Sequence, residues 1–248
     1  MLFLNIYILR TASELGCTTH RKEKRGLLSY YARGNTLMCE KLSPEITGDV
    51  LVISSDGADI HIAPSIYDEC RRRSCRSVFL DANEENLACA GTLGEISASL
   101  SRRGISVFCP LAFADSCSEA TPVAECAVSG GELSEYLAYL MRTHRRIALS
   151  IPRRCTDFSM PLFSFSGREL SAREFLNIRD RYGAQCFFSP QLVSNYFIYS
   201  PEPDSAGFVL YDDARTISEK IRLARRLGVE NVFLAYREIA DIFEDILF

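Results

Sequence analysis

Short apolar runs alternate with amphipathic stretches along this chain, and that alternation limits its possible folds more than any other feature. The runs are LFLNIYIL, GLLSYYARG, GDVLVISSDG, RSVFLDAN, GISVFCPLAF, PVAECAVS, RRIALSIP and ENVFLAY. Most are rich in β-branched and aromatic residues and are bounded by turn formers, as strands are. Between the later runs lie helices. GGELSEYLAYLMRTH places Leu133, Tyr136, Leu137 and Leu140 on one stripe. SAREFLNIRDRYG opens with Ser171 and Glu174 at the spacing of a capping box. Thr216 and Glu219 repeat that spacing, and Gly228 stands where a helix ends in a left-handed residue. Strands alternating with helices predict a mainly parallel sheet covered by helices. Eight candidate strands in 248 residues suit a closed (β/α)8 TIM-type barrel, one domain over residues 1–248, better than an open sheet. The first two runs could instead form one hairpin, and the region from Asp59 to Ser65 has room only for a short connection. A barrel with one degenerate or missing β/α unit is therefore left open.

Charge and composition exclude several partners. A net charge of -4 gives no reason to expect nucleic acid. The basic clusters HRKEKR (20–25) and CRRRSCR (70–76) are short, flanked by acids, and read as solvated surface. The opening MLFLNIYILRTASE lacks the basic start and small-residue cleavage site of a secretory signal, and is too short for a membrane span; it reads as a buried first strand. Ten cysteines are scattered singly, several of them inside apolar runs, with no C-x-x-C pair and only three histidines in the chain. No metal or cofactor is expected from such spacing. Reduced core thiols point to a reducing, cytoplasmic compartment.

The C-terminal half carries a more specific signal. LSIPRRCTDF (149–158) is followed by RYGAQCFFSPQLVSNYFIYSPEPDSAGFVLYDDARTISEKIRLARRLGVENVFLAY (181–236). This series resembles glycoside hydrolase family 18, and within it the spore-germination and cortex-lytic branch. There a strand ending like L-G-I-P, with an acid after it, precedes Y-G-A, P-Y-F-x-Y and W-[FY]-E-D-A-R-S-I-x-x-K. The likeness covers roughly the last 100 residues well, the middle loosely and the first 70 poorly. It implies a barrel that handles N-acetylated glycans, with Asp157, Asp212, Asp213 and Tyr236 as ligand-contact candidates. A structural role competes for Asp213 and Arg215, as loop-orienting and helix-capping residues near a positive helix terminus.

The resemblance also implies a defect. Family 18 enzymes use the substrate's own acetamide as nucleophile, with a D-x-x-D-x-D-x-E strand supplying the proton donor. Laid on RSVFLDANEEN, that motif puts Arg76, Phe79, Asp81 and Asn83 at the four acids. An Asn amide cannot donate a proton near neutral pH, and general acid catalysis is worth about 10² to 10⁴ in rate. Glu84 or Glu85 could replace it only through a one-residue bulge. PVAECAVSGG shows no counterpart of the strand-six M-x-Y-D, and Ala235 falls where the strand-eight Trp belongs; the chain has no Trp. The expectation is a non-catalytic, sporulation- or cell-wall-associated relative with Asp81, Asn83 and Glu84 as its degenerate site, binding glycan weakly or a protein partner. The alternatives are an active hydrolase of N-acetylglucosamine-containing polymer and an interaction protein without sugar affinity.

Overall fold

The computed structural model describes residues 4–19, 23–84, 86–128, 131–160, 167–201 and 205–247. All eight apolar runs become strands of one closed parallel barrel. They are β1 (Asn5–Arg10), β2 (Glu23–Gly34), β4 (Val50–Ala58), β5 (Ser77–Ala82), β6 (Ser106–Pro110), β7 (Thr121–Glu125), β8 (Ala148–Ser150) and β14 (Asn231–Ala235). Each pairs in parallel with its neighbour, and β1 closes the ring by pairing with both β14 and β2. The first two runs are thus adjacent barrel strands, not a hairpin. The hairpin lies elsewhere: β2 overshoots the barrel and folds back as antiparallel β3 (Thr36–Cys39), with Tyr30 opposite Cys39.

Alternation along the strands sorts the core into layers. Tyr7, Val52, Phe79, Phe108, Val123 and Phe233 fill the barrel interior. Tyr7 stacks on Phe233 at 5.0 Å between ring centroids, and Phe108 meets Phe233 edge-on at 5.0 Å. The intervening residues, such as Val78, Leu80 and Ala82, face α1 (Ala63–Arg73) and α2 (Ala90–Ser101). On the other side, α3 (Leu133–Thr143) and α5 (Ala214–Leu227) cover β7, β8 and β14. A short α6 (Tyr236–Ile239) follows β14.

The helical layer is less complete than the alternation predicts. Among the described residues, the connections from β1 to β2, β2 to β4 and β6 to β7 carry no α-helix. The β6–β7 segment covers the barrel with Phe113 and Cys117 instead, both fully buried.

Between β8 and α5 the chain builds a second sheet, of which the runs give no sign. Its strands are β9 (Cys155–Met160), β10 (Arg168–Glu169), β11 (Phe187–Ser189), β12 (Ser194–Tyr199) and β13 (Ala206–Tyr211), all antiparallel. Helix α4 (Ala172–Tyr182) covers one face through Phe175 and Ile178 on Phe197 and Val209. Its predicted capping box is present: Ser171 Oγ accepts from the Glu174 N–H, and Glu174 accepts from the Ser171 N–H. The box predicted at Thr216 and Glu219 starts three residues earlier, on Asp213 and Thr216, and Gly228 ends α5 in the left-handed region at φ 80°.

The ten cysteines are unpaired thiols, five of them buried. Among the described residues, no helix is long and apolar enough to cross a membrane.

Candidate functional site

The C-terminal ends of the barrel strands open into a cavity of about 510 Å3. The β2–β3 hairpin forms one wall with Tyr30, Tyr31, Met38 and Glu40, and Thr11, Ser54, Asp81 and Arg237 complete it. Side-chain phase explains why Asp81 is there. Phe79 points into the barrel, so Asp81, two residues on, points the same way one layer higher. Ser54 sits beside it on β4, in register, and donates a hydrogen bond to its carboxylate. Crowding at the mouth withdraws water from Asp81 and raises its pKa, more than Ser54 and the positive charge of Arg237 lower it. Asn83 lies exposed just past the strand end. Phe79 belongs to the aromatic stack that fills the barrel.

A second group of acids stands at the mouth beside this cavity. Glu84 is exposed, and its pKa is raised by partial desolvation and then by the negative charges of Glu125 and Asp81. Glu125 ends β7 in phase with Val123, which faces the barrel interior, so a strand-six carboxylate does exist. Sequence reading missed it because no M-x-Y-D surrounds it; the in-phase pair Val123–Glu125 was the available signal. Arg154 pairs with Glu125. Tyr136, on α3, has its pKa raised by burial and by the charges of Glu84 and Glu125. Glu85 lies outside the described residues.

The other expected ligand contacts are placed elsewhere. Asp212 is 4% exposed and fully engaged. It accepts both of its contacts from Lys220 Nζ at 2.7 Å, and further bonds from Ser194 Oγ at 3.0 Å, Thr216 Oγ1 at 2.9 Å and the Arg154 N–H at 3.2 Å. Lys220 is 1% exposed. This buried pair joins the end of the second sheet to barrel helix α5, which gives the acid-to-lysine spacing of DDARTISEK a structural reason. Asp213 caps α5, accepting from the Thr216 N–H at 2.8 Å and from Asn195 Nδ2 at 2.7 Å. Asp157 lies in the second sheet, where it accepts from Tyr199 Oη at 2.9 Å. Tyr236 is 9% exposed and packed beneath the Arg10 guanidinium, 4.1 Å from its ring centre, with Phe243 edge-on. It therefore offers no open face to a sugar. Arg215 lies over Phe188 at 5.1 Å. No group of three or more metal-ligating side chains occurs among the described residues.

No protein-family model and no curated protein matches the chain by sequence. Solved structures match it closely in shape. The Bacillus cereus spore cortex-lytic enzyme SleL aligns over the whole chain and 75% of its own, with a TM-score of 0.64 and 11% identity. A chitinase from Chromobacterium violaceum aligns over 93% of both chains, with a TM-score of 0.63 and 13% identity. A family 18 chitinase variant from Cycas revoluta, crystallised with (GlcNAc)4, aligns over 96% of both, with a TM-score of 0.61 and 12% identity. The fold is that of the family 18 glycoside hydrolases. Spore cortex-lytic proteins share it with the chitinases, so the family 18 barrel by itself does not select a substrate. In this barrel β5, the fourth barrel strand, brings Asp81 to the mouth.

Proposed function

We propose that the protein is a non-catalytic relative of the family 18 hydrolases, sporulation- or cell-wall-associated, that binds N-acetylated glycan weakly at the barrel mouth. Asn83 carries this reading. On the register read from the sequence, with which the interior position of Phe79 agrees in phase, an amide stands where the proton donor is required. Phe79 itself has exchanged a second acid for core packing. The cavity offers Tyr31 as an aromatic surface and Asp81, Glu40 and Arg237 as polar contacts, enough to orient an acetamidosugar without activating its glycosidic oxygen. The buried thiols suit a reducing compartment. Calorimetric titration with chitotetraose tests the reading: saturable binding without release of shorter sugars is expected, and Asp81→Ala weakens it. Hydrolysis, or no binding at millimolar sugar, contradicts it.

One observation favours an active hydrolase as the second reading. Glu84 has a raised pKa beside Asp81 and Glu125, and a raised carboxyl is what a proton donor needs. Under that reading Glu84→Gln abolishes turnover, and the alkaline limb of the rate profile, where the donor loses its proton, lies above the usual glutamate range.

A further inference from the structure

The lower rim of the barrel carries a second concave site, away from the mouth. A cavity of about 270 Å3 opens at the starts of β6 and β7, lined by Ser106, Ser118 and Thr121 with His144, Arg145, Arg146 and one acid, Glu119. It exists because the β6–β7 connection has no helix: residues 114–120 run down the barrel as a turn and leave the strand starts uncovered. Arg145 and Arg146 make no ion pair among the described residues. Two guanidinium groups, an imidazole and three hydroxyls thus face one small space with a single carboxylate against them.

The surroundings reinforce that charge. Barrel helices run antiparallel to the barrel strands, so their C-terminal ends lie on this rim. Exposed arginine pairs stand at three of them: Arg102–Arg103 just past α2, Arg145–Arg146 between α3 and β8, and Arg225–Arg226 in the last turn of α5. Arginine on a fixed frame favours bidentate contacts to phosphate oxygens, and clustered arginines around a recess draw anions toward it, although Glu119, Glu23, Asp49 and Glu230 share the rim.

We propose that this cavity binds a phosphate group, with Arg145 and Arg146 as its cationic contacts, His144 and the hydroxyls as further donors, and Glu119 as the residue that limits affinity. The volume admits a phosphate and the first atoms of whatever carries it. The site is independent of the mouth and of any glycan binding there.

Titration of the full chain with inorganic pyrophosphate, followed by calorimetry, tests it. Saturable binding is expected, weakened about tenfold or more in Arg145→Gln/Arg146→Gln, since each charge-assisted contact is worth that much or more. Arg225→Gln/Arg226→Gln removes the same charge from the same rim outside the cavity and should change affinity less than about threefold, as screened long-range charge does. Glu119→Gln should tighten binding, an effect that misfolding cannot imitate. Vesicles of phosphatidylglycerol and a glycerol-phosphate oligomer, titrated in parallel, identify the carrier; either, lost in the Arg145/Arg146 variant, supports the proposal. Absence of saturable binding to all three probes, or equal losses in the two arginine variants, overturns it.

Discussion

At the scale of single residues, Asp81 and Asp212 differ in surroundings: Asp81 is exposed at a crowded mouth, and Asp212 is buried and paired. Asp81 has a pKa raised above the ordinary aspartate value of about 3.9. Between that value and the raised one, the folded chain holds more proton than the unfolded chain, so stability falls as pH rises through this window. Asp81→Asn removes the cost: its melting temperature should exceed the parent's at pH 7, and the advantage should vanish below about pH 3, where both states are protonated. Thermal unfolding across pH checks this, and a lower melting temperature at pH 7 would contradict it. Asp212 is the opposite case, an acid whose charge is fully matched. Asp212→Ala leaves Lys220 charged, buried and unpaired, and should cost about 3 to 5 kcal/mol in denaturant unfolding. In Asp212→Asn/Lys220→Met the two losses should fall short of additive by about 0.5 to 3 kcal/mol, the coupling expected of groups in contact. The acidic pair of the DDAR motif was visible in the sequence, but its division of labour was not: Asp213 caps a helix, and Asp212 meets a lysine two turns away.

At the scale of elements, the sequence showed strands far better than it showed what covers them. All eight barrel strands were legible because each is a run of apolar and β-branched residues between turn formers, buried on both faces as parallel strands are. The second sheet was hidden because its strands alternate, with Phe197 and Val209 on the α4 side and the half-exposed Tyr196 and Phe208 on the other. Such strands resemble loop wherever helix and turn signals crowd them. The absent helix between β6 and β7 was also unreadable, since GISVFCPLAF runs without a break from strand into the turn that replaces it. Gly94 reports on that replacement. A Cβ there would lie 2.3 Å from the Ser116 carbonyl oxygen, so α2 and the turn can approach backbone to backbone only because residue 94 has no side chain. An exposed helical Gly→Ala stabilises by about 0.5 to 1 kcal/mol; Gly94→Ala should instead destabilise, by about 1 to 3 kcal/mol as overpacking does. Ser171→Ala, which removes the α4 cap, should cost about 1 kcal/mol, and urea unfolding of both variants distinguishes the two mechanisms.

At the scale of the whole molecule, the barrel has the frame of the family 18 glycosidases, and the proposed loss of catalysis concerns its mouth alone. The aromatic stack of Tyr7, Phe79, Phe108 and Phe233 closes the interior directly beneath Asp81, and the second sheet is pinned to α5 by the buried Asp212–Lys220 pair. The cavity sits on this filled interior, and the chain has no tryptophan to floor it. Part of this was legible: Asp81 was a site candidate in the sequence, and it lines the cavity at the mouth. Glu125 was not, because its place at the mouth follows from strand phase and not from a motif. Catalytic groups that act as a unit lose activity together, so Asn83→Glu alone should restore little. Turnover of an activated chitobioside, with the natural protein and Glu84→Gln side by side, is the most direct test. Neither should release the reporter group above the buffer rate; robust release by the natural protein, abolished in Glu84→Gln, would contradict the non-catalytic reading.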